Sequence, residues 1–321
     1  MSLTKSRGKD YNIPTMENMK HPRPLSAPFR VYWDVAPEEG GGVSQEVAGK
    51  TAAELAALKV FFVTLALSGQ PREDLAGIIG LLKKGGSRVT LSIGRPEAIP
   101  DAAVLELADG IDIRPEDKGL LDGLLSAIPA GKQAILTLTP ERGGAEAAGS
   151  MIKAALDAGV RTFSLANPNI VYDREGAPRY ALGAADRKAY TDVLEGLLGT
   201  LDSGVRLFVH DLFLHRTLNL PCLGGRIEYA GCQAGDAIAY IDRSGTVNPC
   251  ATFPVPLGEI GGSTVKEIWA SAERLKLREK VVSAPGECAG CGEIADCKGG
   301  CRGFAWELAG PEGKDPNCEG Q

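Results

Sequence analysis

No cysteine occurs in the first 221 residues of this 321-residue chain. No apolar run approaches the roughly 20 residues that a membrane-spanning helix needs, so no membrane span is expected. Surplus positive charge is missing too. The formal net charge is −6 and the pI is near 5.3, which argues against nonspecific nucleic-acid binding. The opening stretch, MSLTKSRGKDYNIPTMENMKHPRPL, has no apolar segment of signal-peptide length. A reducing, cytoplasmic setting is therefore the expectation. There is no Gly-x4-Gly-Lys-Ser/Thr loop, and no Gly-x-Gly-x-x-Gly follows a strand. Only three histidines occur, His21, His210 and His215. His210 closes an expected strand, but a hydrogen-bonded packing role is its simplest reading.

The chain instead has eight cysteines between Cys222 and Cys318. Cys288, Cys291, Cys297 and Cys301 are spaced C-x2-C-x5-C-x3-C, with Cys222, Cys232 and Cys250 before them and Cys318 after. Three chemistries compete for them. A disulfide framework suits small secreted domains, which this opening stretch does not suggest. Structural zinc commonly uses two C-x2-C pairs, and only the Cys288/Cys291 pair exists. Iron–sulfur cubanes take four thiolates each, so eight cysteines divide into two complete sets, and soft thiolates favour that chemistry.

Here the chain resembles the SPASM domain at the C-terminus of many radical S-adenosylmethionine enzymes that modify peptides. The resemblance rests on Cys232, Gly245-x4-Cys250, the four-cysteine run, and Cys318 within Asp315-Pro316-Asn317-Cys318. Leu257-Gly258-Glu259-Ile260, Lys266-Glu267-Ile268-Trp269 and Gly299-Gly300-Cys301-Arg302 match as well. The resemblance implies two auxiliary [4Fe–4S] clusters. By the family's interleaving, Cys222, Cys232, Cys250 and Cys301 would hold one. Cys288, Cys291, Cys297 and Cys318 would hold the other.

Residues 1–28 carry four prolines and almost no apolar periodicity, and read as a flexible tail. From Phe29 onward, strands and helices alternate. Strands are expected at 29–35, 60–67, 88–93, 110–113, 134–138, 161–165 and 205–209. Helices are expected at 51–58, 74–84, 101–108, 119–128, 145–158 and 184–201. Repeated βα units with apolar strands mean an α/β fold with a parallel sheet. Six or seven units suit a partial (β/α)6 barrel over 29–215, with a cysteine-rich domain over 216–321. A doubly wound sheet is the runner-up. The Gly40-Gly41-Gly42 triplet reads as a flexible loop, and Trp306 as core of the small domain.

The first part also resembles the radical S-adenosylmethionine barrel. In that family a Gly-Gly-Glu-Pro turn after the second strand binds the cofactor's amino group. This chain reads Ser68-Gly69-Gln70-Pro71, and its sixth strand leads into Asn167. The resemblance makes Gly69, Gln70, Pro71 and Asn167 a degenerate site for S-adenosylmethionine. Gln70 lacks the carboxylate that would pair with an ammonium. The bland reading of both segments is strand-end turns. After the first strand the family carries C-x3-C-x2-C, which holds the catalytic cluster. Here residues 34–50 contain no cysteine, and Asp34, Glu38 and Glu39 are hard ligands poorly matched to a cubane. No catalytic residue is assigned, and autonomous radical catalysis is not expected. The expected function is an iron–sulfur accessory protein that passes electrons or presents substrate to an intact radical S-adenosylmethionine enzyme maturing a peptide. The alternatives are an enzyme acting through an auxiliary cluster or another barrel site, and a metal-stapled binding scaffold.

Overall fold

The computed structural model describes residues 24–129, 131–199, 204–223 and 231–319. It begins with β1 (Arg30–Asp34), α1 (Gln45–Ala57), β2 (Phe62–Leu67), α2 (Leu75–Lys84), β3 (Arg88–Ile93), α3 (Ala102–Leu107) and β4 (Gly110–Ile113). It continues with α4 (Lys118–Ser126), β5 (Ala134–Leu138), α5 (Ala145–Asp157), β6 (Thr162–Leu165), α6 (Ala184–Leu198), β7 (Arg206–Val209) and α7 (Leu212–Thr217). β1 to β7 lie side by side in chain order, every pair parallel. A doubly wound sheet reverses its order at a switch point. This sheet does not, so it is the open, partial barrel. Most of the expected tail, residues 1–23, lies outside the described residues. Leu25 N donates to Asp236 Oδ1 at 2.8 Å.

The cysteine-rich part adds strands that its sequence did not announce: β8 (Ile238–Ile241), β9 (Thr246–Asn248) and β10 (Gly258–Glu259). β8 pairs in parallel with β1, and β9 and β10 follow antiparallel, making one ten-stranded sheet. Four helices complete the chain: α8 (Val265–Ala270), α9 (Ala272–Val282), α10 (Ile294–Cys297) and α11 (Arg302–Ala309). Phe253, Leu277 and Val281 form a small core there, with Trp306 packed against it.

Two readings need correction. α1 begins at Gln45, six residues before the expected Thr51, because the Ser44 side chain caps it by accepting from Val47 N at 3.3 Å. The expectation followed only the Ala/Leu run. The glycine triplet forms a compact turn, not a flexible loop. Gly40 N and Gly42 N both donate to Pro37 O, at 3.0 and 2.9 Å, and a Cβ on Gly42 would lie 2.0 Å from Ala36 O.

The strands bury different chemistry on their two faces. Ile93, Ile111 and Ile113 share a void with Leu105 of α3 and Leu124 of α4, so these odd positions face the helices. Side chains alternate along a strand, and the intervening residues therefore face the barrel interior. Most of those residues are small or polar, among them Thr64, Thr90, Ser92, Asp112, Thr137 and Ser164, with Tyr32, Ile135 and Phe208 on the same face. α2 shows the complementary pattern. Its Leu75, Ile78, Ile79 and Leu82 form one buried stripe, each side chain contributing about 1.5–3 kcal/mol. Gly85 ends α2 so close to α1 that a Cβ would sit 2.4 Å from Ala56 Cβ, so Gly85→Ala would push these helices apart.

Candidate functional site

The C-terminal ends of the barrel strands carry a hydrogen-bonded network. Asp34 ends β1 and is 3% exposed. It accepts from Ser68 Oγ and from Tyr172 Oη, each at 2.9 Å, and lies 3.8 Å from Arg243 Nε. Burial raises its pKa, against the hydrogen bonds from Tyr172 and Ser68 and the charge of Arg243. Arg243, from the β8–β9 turn, sits over the Tyr172 ring at 4.7 Å, and its backbone N donates to Tyr172 Oη at 2.8 Å. Parallel register places Asp34, Ala66, Ser92 and Asp112 in one layer across β1–β4. Asp112 accepts from Ser92 Oγ at 3.2 Å and from Arg114 Nε at 2.7 Å. None of Tyr172, Arg243, Asp112 and Arg114 was singled out by sequence; Tyr172 and Arg243 meet Asp34 only through the tertiary fold, while Arg114 and Asp112 are near neighbours that carry no recognisable motif.

Beside this network lies a cleft of about 710 Å³ between the β1 loop and the β2 loop. Gly69, Gln70 and Pro71 line it, with Glu38 and Glu39 opposite and Arg243 at its border. No thiol is among its walls. Arg72 holds the two loops together. Its side chain is 3% exposed, pairs with Asp74, and donates to Ala36 O at 3.2 Å and Val43 O at 3.3 Å. Asn167 stands apart from this cleft. Its Nδ2 donates to Cys301 Sγ at 3.5 Å.

Several of the cysteines act electrostatically on one another. Cys301 is pushed well above the ordinary thiol range by burial, then by Cys232, Asp315 and Cys250. Cys250 is pushed up to about 11 by burial, opposed by Thr252 and reinforced by Cys232. Cys288 is raised by burial, then by Cys297, Cys318 and, to a lesser degree, Cys291. Cys297 and Cys301 are only four residues apart. α10 ends at Cys297, and Lys298, Gly299 and Gly300 all take positive φ, at 50°, 79° and 64°. Three left-handed residues in a row turn the chain sharply between the two thiols. Only glycine fits at position 300, where a Cβ would lie 2.3 Å from Asp315 Oδ2. Cys222 differs from the rest. It packs in the barrel core, its carbonyl accepts from Leu207 N at 2.9 Å, and burial alone raises its thiol.

The Asp315-Pro316-Asn317-Cys318 stretch fastens this region across the barrel. Asp315 accepts from Cys301 N at 2.5 Å and from Asn317 N at 2.8 Å. Burial, then the nearby Asp211, pushes it up to about 7. Asn317 accepts from Leu182 N at 2.7 Å and donates to Asp211 Oδ2 at 2.5 Å, at the start of α7. Phe304 of α11 packs with Ile170 and Ala177 after β6. The cysteine region therefore meets the barrel both at β1, through β8, and at its far side.

A donor set made of thiols suits iron–sulfur chemistry. Neighbouring thiolates repel one another, and bound iron offsets that repulsion. A cubane offers a separate iron to each thiolate, so its ligands stand apart. Among the described residues, no three His, Cys, Asp or Glu side chains converge as ligands of a single ion.

Residues 232–292 match the SPASM family, described as an iron–sulfur cluster-binding domain. The match includes Cys232, Cys250, Cys288 and Cys291. The chain is 28% identical over 89 residues to an AdoMet-dependent heme synthase of Nitratidesulfovibrio vulgaris, covering 27% of this chain and 24% of that protein. It is 31% identical over 124 residues to the mycofactocin maturase MftC of Mycolicibacterium smegmatis, covering 36% of this chain and 30% of that protein. The chain thus spans only about a quarter to a third of the length of these curated relatives. Among solved structures it superposes on Streptococcus suis SuiB with a TM-score of 0.61 at 14% identity, over 92% of this chain and 78% of SuiB. SuiB has been seen bound to S-adenosylmethionine and to its precursor peptide SuiA. No helix among the described residues is long and apolar enough to cross a membrane. The chain shares the partial-barrel fold of SuiB, and its residues 232–292 match the SPASM iron–sulfur cluster-binding domain.

Proposed function

We propose that this chain is an iron–sulfur accessory protein for a radical S-adenosylmethionine enzyme that modifies a peptide. The observation that carries the reading is the β1–β2 cleft, walled by Glu38, Glu39 and Gln70 with no thiol, while all eight cysteines lie from position 222 onward. In this reading residues 29–215 are a barrel without a catalytic cluster, and residues 216–321 hold two [4Fe–4S] clusters. Cys232, Cys250 and Cys301, with Cys222, hold one. Cys288, Cys291, Cys297 and Cys318 hold the other. Cubanes supply one-electron transfer when bound. The chain's own residues half-bury Cys250 and Cys301 and keep the barrel mouth open to a peptide. The maturase name of MftC and the peptide-bound form of SuiB support a peptide as substrate. The setting is cytoplasmic, where thiols stay reduced.

A second reading is favoured by Cys222, which packs in the barrel core while Cys232, Cys250 and Cys301 act on one another. If Cys222 is no ligand, the first cluster has an iron open to substrate, and the chain is an enzyme in its own right. One assay separates the two. The reconstituted protein is reduced with dithionite and supplied with S-adenosylmethionine, and 5′-deoxyadenosine is followed by chromatography. No turnover alone, with increased turnover when an intact radical enzyme is added, supports the accessory role. Multiple turnovers by this chain alone, surviving repurification, overturn it.

A further inference from the structure

Two arginines stand at the barrel mouth in matching settings. Arg114 follows β4 and turns its Nε to Asp112, at 2.7 Å. Arg243 follows β8 and turns its Nε towards Asp34, at 3.8 Å. Asp34 and Asp112 occupy the same register layer, three strands apart, and each also accepts from a serine, Ser68 or Ser92. Both aspartates are buried, at 3% and 5% exposure, whereas the arginine side chains remain 39% and 42% exposed. Arg114 is hydrogen-bonded to its aspartate, whereas Arg243 Nε makes no hydrogen bond to Asp34 and the guanidinium rests on the Tyr172 ring at 4.7 Å; both side chains stay partly exposed. The same layer carries the small residues Ala66 and Ser92 on β2 and β3.

A guanidinium has five N–H donors in a planar fork. One edge turned to an aspartate leaves other donors for a second acceptor, and a carboxylate matches the fork with two parallel hydrogen bonds. Fixing the fork beforehand removes much of the ordering cost of binding. We propose that Arg114 and Arg243 form a docking site for carboxylate groups of a peptide, so that the barrel mouth selects acidic peptide segments. This rests on the reading of the barrel mouth as a peptide-presenting face and is independent of the clusters. The carboxylate comes from a Glu or Asp side chain or from a peptide C-terminus.

The test uses fluorescence anisotropy at low salt with the full-length holoprotein and three fluorescein-labelled probes. These are Gly-Glu-Gly-Glu-Gly amide, Gly-Gln-Gly-Gln-Gly amide, and Gly-Gln-Gly-Gln-Gly with a free C-terminus. The Glu amide is expected to bind at least about tenfold more tightly than the Gln amide. Arg114→Gln and Arg243→Gln are each expected to reduce that preference severalfold, with circular dichroism unchanged. Preference for the free-acid Gln probe alone supports the site and assigns it to a chain terminus. If Arg114→Gln fails to fold, Arg114→Lys keeps a cation beside Asp112 and should still weaken the preference through loss of the planar fork. Equal binding of all three probes, no saturable binding, or a preference intact in the folded variants overturns the proposal. Iron content measured on the same samples separates failure of this site from failure of the cluster reading.

Discussion

Asn167 Nδ2 donates to Cys301 Sγ at 3.5 Å, joining the end of β6 to the N-terminus of α11. Hydrogen bonds to cluster sulfurs tune reduction potential. A donor favours the more negative, reduced cluster, so its loss makes reduction harder. Asn167→Ala is expected to shift one cluster potential by an order of tens of millivolts to more negative values, leaving the other in place. Spectroelectrochemical titration reads this directly. Two unshifted potentials would show that the contact does not reach a cluster.

The left-handed run from Lys298 to Gly300 separates Cys297 from Cys301. Reconstituted protein is expected to hold about eight irons, the sum of two cubanes. Cys301→Ala should diminish the spectroscopic signal of one cluster and Cys318→Ala that of the other. Iron and sulfide assays with Mössbauer spectra check both. Stoichiometric zinc without iron, or loss of the same signal in both variants, contradicts the partition.

Asn317 links the cysteine region to the barrel through Leu182 N and Asp211. Asn317→Ala would strand both groups in a buried setting. A destabilisation of about 2–4 kcal/mol is expected. Urea denaturation followed by tryptophan fluorescence measures it. An unchanged midpoint would mean that water or a neighbour replaces the lost bonds.

Asp34 introduces a pH dependence. Burial raises its folded pKa above the ordinary aspartate value of 3.8, so folding takes up a proton in the interval between the two. Its stabilising contribution is complete below the ordinary value and is lost as pH rises through the raised one. Asp34→Asn removes this dependence. The stability difference, wild type minus variant, should therefore fall with rising pH across that interval. Parallel denaturation midpoints for the two proteins at every pH would exclude a raised value.

Much was legible in the chain because its signals are short-range. Apolar runs closed by Gly, Pro or charge marked β3, β4 and β5 to the residue. Cysteine spacing marked the iron–sulfur region, since a C-x2-C-x5-C-x3-C run constrains ligands within a few turns of backbone. β8–β10 escaped notice because they are short and are strands only by virtue of the sheet edge that β1 offers.

The sequence by itself determined the α/β alternation, the apolar outer face of the strands and the supply of thiols, each a property of neighbouring residues. The tertiary structure decided what depends on residues more than a hundred positions apart. It turned Asn167 to Cys301, set Tyr172 and Arg243 over Asp34, and put Cys222 in the barrel core. Those choices follow from how the open sheet curves and from which edge the cysteine region joins, and no local spacing encodes either.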